Sequence, residues 1–455
     1  MSEDQEVRDA LHRIAPRIEA PGDLLANARR RRARRRTGVL VGAGLATVVL
    51  AVALAPQLPL FPAGIGGIGG ATSDTQEEAV YDSAVSDGAG ESLHGAEAAA
   101  EAGQRLAWEV IGNTEAANRV VSPSSLALSL AMAAEGARGD SLASIDEALG
   151  LTGDERAEAF GALRRSLISS EADLAGLDLD DPPAVPLIHQ ANRVVTVDAT
   201  ADPAFLERLG TFFDTPLLET TYPAAQDQLD VWVRENTAGL IEKSGIVVTP
   251  DTRVVVQDAL LFAAAWRTWF AEEVPLPFDG SSGTRDVEMV RGVVEARAAE
   301  GERWTAVRLP YDEALAADIV LPREGVAPED LTAEELAEAG RALDAAPAEE
   351  IEVTMPAFDL TAQTDLLTAL PEIDLTDLGG IVPGGAVEQW VQQARLRMNA
   401  RGTVAAAVTE IAVAGSGRIG PEPHAFVVDR PYAIRVLDTR SGWALFLATV
   451  SDPSA

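Results

Sequence analysis

Few residues in this 455-residue chain could do covalent chemistry. There is no cysteine, so thiolate nucleophiles, disulfides and Cys-ligated metals are absent. There are four histidines, His12, His94, His189 and His424, and no two stand at metal-ligand spacing. A serine hydrolase needs a positioned base, and no Gly-x-Ser-x-Gly elbow accompanies these histidines. Carboxylates are abundant, but no spacing marks out an acid–base pair. The expectation is a protein with no catalytic residues, no metal and no cofactor. The unusual stretch is "NARGTVAAAVTEIAVAGSGRIGPEP", residues 399–423. It is small-residued for a dozen positions and then turns into glycine and proline. A core strand would carry larger side chains, and a plain surface loop more polar ones.

The elements around this stretch read as a mixture of helices and strands without a βαβ rhythm. Helical patterns dominate the first half, beginning with "AEAAAEAGQRLAWEVIGN" from about Gly95. Strand patterns dominate the second half. "RVVVQDALLFAAAW" (253–266), "AVRLPY", "ADIVLP", "IEVTMPAF", "QQARLRMNA", "FVVDRPYAIRVLD" and "GWALFLATV" each read as one strand, and "EDLTAEELAEAGRAL" as a helix. That order predicts an α+β fold with helices packed on large, mainly antiparallel sheets.

The net charge is −35 and unevenly placed, with ten Arg against six acidic residues in 1–36. The acidic remainder argues against a nucleic-acid partner. The Arg-rich run Arg29 to Arg36 abuts an uncharged stretch, "TGVLVGAGLATVVLAVALA" and Pro56. About 20 apolar residues span the ~30 Å of a bilayer core. A basic flank places the N-terminus on the cytoplasmic side. The expected organisation is a cytoplasmic segment 1–36, a transmembrane helix 37–56, a flexible linker 57–95 and a folded domain 96–455 outside the cytoplasm. A cleaved signal peptide ending near Ala55 is the alternative, with Pro56 against it.

Several stretches, in order, resemble the serpin family of protease inhibitors. They are "NRVVSPSSLALSLAMAAEGARGDS" (118–141), "LDVWVRENTAGLI" (229–241), "VVQDALLFAAAWRTWF" (255–270), "VTMPAFDLTAQTDLLTAL" (353–370), "RMNARGTVAAAVTEI" (397–411) and "DRPYAIRVLDTRSGWALFLATVSDP" (429–453), with "VEMV", "VRLPY" and "DIVLP" between them. The likeness covers roughly 96–453 and is to a membrane-anchored member of prokaryotic type. There are departures. Two frequent family asparagines stand here as Asp230 and Asp258, a frequent histidine as Gln392, and the acidic pair before the loop hinge as Ala400 and Arg401.

The resemblance implies a metastable, monomeric inhibitor with an exposed reactive loop. A serine or cysteine protease cuts the loop, which then inserts as a new strand in the central sheet. The hinge would be Gly402, Thr403, Val404, Ala405, Ala406, Ala407, Val408 and Thr409. Strand side chains alternate faces, so Thr403, Ala405, Ala407 and Thr409 would enter the core. All four are small and uncharged, as burial demands. Gly402 frees the backbone where the loop folds inward. Ser122, Ser125, Asp258, Trp266 and Gln392 would support opening of the sheet. The family's usual spacing puts the scissile bond at Ser416–Gly417. A loop longer than usual leaves Arg418–Ile419 open, which would suit a trypsin-like pocket. The competing expectation is a non-inhibitory, serpin-like surface binding module.

Overall fold

The computed structural model describes residues 89–167, 182–312, 314–403 and 423–454, together with Leu174 and Leu177. The expected cytoplasmic segment, the span 37–56, most of the linker and loop residues 404–422 lie outside the described residues. So do both candidate scissile bonds. No helix among the described residues is long and apolar enough to cross a membrane.

The helices are α1 (Ala89–Gly112), α2 (Pro123–Ala134), α3 (Gly139–Leu149), α4 (Gly153–Leu167), α5 (Pro203–Phe213), α6 (Tyr222–Asn236), α7 (Ala333–Ala345) and the short α8 (Leu366–Ala369). The strands are β1 (Arg119–Val121), β2 (Leu187–Val197), β3 (Leu217–Thr220), β4 (Val254–Ala265), β5 (Glu272–Gly280), β6 (Gly283–Glu300), β7 (Trp304–Pro310), β8 (Leu315–Pro322), β9 (Ala348–Pro356), β10 (Phe358–Asp365), β11 (Val391–Met398), β12 (Gly402–Thr403), β13 (His424–Val427), β14 (Tyr432–Asp438) and β15 (Ala444–Val450).

The strands form two sheets. One runs β1-β15-β14-β8-β7-β6-β9-β13, with β5 paired to β6. Strands β8, β14 and β15 are buried at every position and read as near-continuous apolar runs. The other runs β10-β11-β12-β4-β2-β3 and contains Gly402 and Thr403 of the expected hinge. Most pairs are antiparallel; β13 on β9 and β2 on β3 are parallel.

Helix α2 lies between the sheets and touches both β4 and β15. Its start follows from sequence. Ser122 has extended backbone angles, its hydroxyl accepts from the Ser125 amide, and Pro123 follows as the first helical residue. Leu126, Leu130 and Met132 are then fully buried in the main core.

Three readings are corrected. The first helix begins at Ala89, six residues before Gly95. "FVVDRPYAIRVLD" is two strands in different positions of one sheet: β13 ends at Val427 and β14 starts at Tyr432. Pro431, which has no amide to donate, lies in the break. "IEVTMPAF" divides at Ala357, with β9 in one sheet and β10 in the other.

Candidate functional site: the loop hinge and the gap beneath it

Strand β12 is only two residues long, but its position is the central fact of the site. Thr403 pairs with Met398 of β11 on one side and Ala264 of β4 on the other, and Gly402 pairs with Ala265. Among the described residues, β4 and β11 are joined only through this wedge. Below it they stand apart, and a cavity of about 120 Å³ opens between Val256–Phe262 of β4 and Val391–Leu396 of β11. A second cavity of about 280 Å³ continues it toward Val254 and Pro383, sharing Ser129, Ile246, Val256, Trp390 and Val391 with the first.

The wedge is held from above by backbone hydrogen bonds. The Trp266 amide donates to the Arg401 carbonyl (2.7 Å), the Phe270 amide to the Ala400 carbonyl (3.0 Å) and the Trp266 indole Nε1 to the Asn399 carbonyl (2.9 Å). Asn399 closes the turn, its side-chain oxygen accepting from the Arg401 and Gly402 amides at 2.9 and 3.2 Å. Gly402 is required by close approach. A Cβ there would collide with the Ala264 carbonyl oxygen and lie 2.8 Å from the Ala265 Cα. Thr403 is buried, and its hydroxyl bonds the Tyr311 hydroxyl. The Tyr311 ring stacks on Trp266 at 4.5 Å, and burial pushes its hydroxyl pKa up. The Arg401 guanidinium sits 5.3 Å from the Trp269 ring, which is half exposed.

The floor of the gap is polar. Gln392 pairs with the Ser122 backbone in both directions: its Oε1 accepts from the Ser122 amide (2.8 Å), and its Nε2 donates to the Ser122 carbonyl (3.0 Å). Asp258 faces the gap from β4. Gln190 Nε2 lies 3.4 Å from its Oδ2, while Oδ1 is sealed from solvent without a partner. Burial pushes the carboxyl up to about 7, opposed by hydrogen bonds from Ser125 and Gln190 and by the charge of Arg164. Arg164, itself buried on α4, is pulled down by burial, and its Nε has no partner.

Ser122, Ser125, Asp258 and Gln392 thus line the gap, and Trp266 caps it beside the hinge. Gly402 and Thr403 are the described part of the hinge; Val404 to Thr409, Ser416, Gly417, Arg418 and Ile419 lie outside it. Sequence reading missed Tyr311, Asn399 and Gln190. Tyr311 closes "VRLPY" and Asn399 opens "NARG", but neither type nor spacing revealed a partner 92 residues away, as Thr403 is from Tyr311. Among the described residues no cluster of potential metal ligands occurs.

A family model described as "Serpin (serine protease inhibitor)" matches residues 97–453. An uncharacterized serpin-like protein of Thermococcus kodakarensis is 27% identical over 366 residues, covering 76% of this chain and 82% of that one. The leukocyte elastase inhibitor of Bos taurus is 25% identical over 374 residues, covering 74% and 94%. The solved complex of thyroxine-binding globulin with thyroxine superposes with a TM-score of 0.66 at 21% identity, covering 79% of this chain and 99% of that one. That likeness carries the fold alone. The sheet order, the hinge wedged at the top of a gap and the match over 97–453 have one reading: the chain belongs to the serpin family.

Proposed function

We propose that this serpin traps serine or cysteine endopeptidases as a one-use inhibitor, by inserting its cleaved loop between β4 and β11. One observation carries the reading: Gly402–Thr403 already pairs with both strands at the top of a gap that no other described strand fills. Extending that register in steps of two sets Ala405 beside Phe262 and Leu396. It sets Ala407 beside Leu260 and Ala394, and Thr409 beside Asp258 and Gln392. The inward row is small and uncharged throughout. The protease supplies the nucleophile, and this chain supplies bait and folding energy.

Residues 37–56 anchor the chain in a membrane with the serpin domain outside the cytoplasm. The uncharged run and the Arg cluster before it support this. Alkaline carbonate should leave the full chain in the membrane fraction. Release of a shortened chain would favour a cleaved signal.

The second reading is a non-inhibitory surface module. Ala400 and Arg401 at the hinge favour it, and the fold is shared with a thyroxine-binding protein. Incubating the full chain with a trypsin-like and an elastase-like protease decides between them. A complex that survives boiling on a denaturing gel is expected, with a released peptide beginning at Gly417 or Ile419. Cleavage that leaves the protease active would instead make the chain a substrate only.

A further inference from the structure

Asp258 lines the gap from β4. It lies level with Gln392 across the gap in the register that β12 begins. The residue keeps some exposure along the gap, although its Oδ1 is sealed and unpartnered. Its surroundings offer little to hold a negative charge. From α2 the neutral Ser125 hydroxyl hydrogen-bonds it, and Ser122, just before α2, lines the same cavity. From β2 it meets Gln190, whose amide is a long 3.4 Å away. From β11 it meets Gln392, whose amide is already committed to the Ser122 backbone. The one nearby cation is Arg164 of α4, shared with Asp214 after α5 and opposed by Arg165. The nearest histidine, His189, is adjacent to Gln190 on β2 and so on the other face, where it bonds Asn236 at 2.9 Å. Phe446 of β15 completes the apolar side of the cavity.

We propose that Asp258 is a positioning residue that couples strand insertion to proton uptake: the gap accepts a strand at this level only when the Asp258 carboxyl is neutral. A strand in the gap expels the water that now reaches this residue. A charged carboxylate would then be buried with one distant, shared cation, which is strongly unfavourable. A neutral carboxyl can instead donate to a strand carbonyl or to Gln190 Oε1, which is also buried without a partner. The resting protein already leans this way, since burial holds the carboxyl near neutrality. The proton comes from solvent. An asparagine, the frequent family residue at this position, is neutral at every pH and would have no such coupling.

This inference rests on the gap receiving a strand, so the experiment reads insertion separately from its pH dependence. The full chain is cut in the loop by a limiting protease from pH 6 to 8.5, and insertion is followed as the appearance of a heat-resistant form. Proton exchange is followed in parallel with a pH indicator in weak buffer. Hydrolysis itself makes a new carboxylate and amine, and that contribution is identical in Asp258→Asn. Wild type should take up as much as one more proton than Asp258→Asn, with the difference largest just above neutral pH. Its insertion rate should fall about tenfold per pH unit above the carboxyl's titration, while that of Asp258→Asn stays flat. Should Asp258→Asn fold poorly, the wild-type rate profile alone decides, because a flat profile overturns the proposal. Insertion with equal proton exchange in both proteins also overturns it and leaves the inhibitory reading intact. No heat-resistant form at any pH in either protein overturns both.

Discussion

Thr403 is the residue at which the proposed function is most simply broken. Its backbone is paired on both sides and its hydroxyl meets a buried tyrosine, so a guanidinium placed there has no partner and no route to water. Burying an unpaired charge costs several kcal/mol, which is a factor of at least about 100 in the partition between trapping and simple cleavage. Because Thr403 is buried before cleavage, Thr403→Arg should free β12 from the sheet or lower the melting temperature of the uncut form, and should form almost no boiling-stable complex. Asp258 makes a separate prediction about stability. Its folded pKa is raised from 3.8 to about 7, so the neutral form is favoured by folding. That contribution is full below 3.8, is lost as pH rises toward 7, and is gone above it. Asp258→Asn should raise the melting temperature at pH 8 and leave it nearly unchanged at pH 3.5. The effect is on the order of 1–4 kcal/mol. A melting curve of the variant that tracks wild type at every pH would show that the carboxyl is solvated. Thr403 and Asp258 could both be picked out of the sequence, one by its place in an alternating row of small residues, the other by standing where the family resemblance expects an asparagine. Tyr311 could not, because a tyrosine after a proline at a strand end is ordinary until the fold brings Thr403 to it.

If the cleaved loop enters as proposed, it enters from the turn 399–401, which hangs from the segment 266–270. Its three carbonyls accept from two backbone amides and an indole, and the turn itself is half-buried. Arg401 on Trp269 is different, since the pair lies at the surface and can be removed without unfolding anything. An exposed cation–π contact contributes about 0.5–1 kcal/mol. Trp269→Ala should change the rate of complex formation about two- to fivefold and leave global stability within error, with Trp269→Phe partly restoring it. Gly402→Ala tests the same element from inside. Its methyl would strike the β4 backbone, so β12 cannot form and the hinge must sit outside the sheet. Amide hydrogen exchange at Trp266 and Asn399, which donate to the Arg401 and Gly402 carbonyls, should rise in that variant, and unchanged protection would mean that the wedge is dispensable. At this scale the sequence was legible where periodicity is local. The cap of α2, the alternation of β11 and the density of β4 could all be read directly. Breaks at Pro431 and Ala357 were not, because the flanking residues are equally β-prone and only the change of partner strand separates them.

Across the whole molecule, the two sheets have different work. The nine-stranded sheet is tied by a buried ion network that no local pattern announced. Asp318 of β8 accepts from Arg308 of β7 (2.6 and 3.0 Å) and from Arg435 of β14 (2.6 Å). Arg308 also reaches Asp344 of α7, and Arg435 bonds Gln104 of α1. The two arginines hold the Asp318 carboxyl below the usual range despite complete burial. "ADIVLP" reads as a plain strand, since the aspartate's partners come from elements far apart in the chain. This network ties three strands and two helices that the proposed insertion between β4 and β11 would not need to rearrange. Removing the charge of Asp318 leaves the buried Arg435 guanidinium with only the neutral Gln104 and Arg308 with Asp344 alone, and breaking a buried pair in this way costs about 3–5 kcal/mol. If the nine-stranded sheet is a fixed frame, that cost is the same before and after the loop enters. Loop cleavage should raise the melting temperature of wild type strongly. Asp318→Asn should lower both the uncut and the cut form by similar amounts and leave the gain on cleavage unchanged. Ala407→Arg, at a position that meets Leu260 and Ala394 only after insertion in the register β12 begins, should do the opposite, abolishing the gain while leaving the uncut form close to wild type. Equal loss of the gain in both variants would mean that the frame moves with the loop and that insertion remodels both sheets.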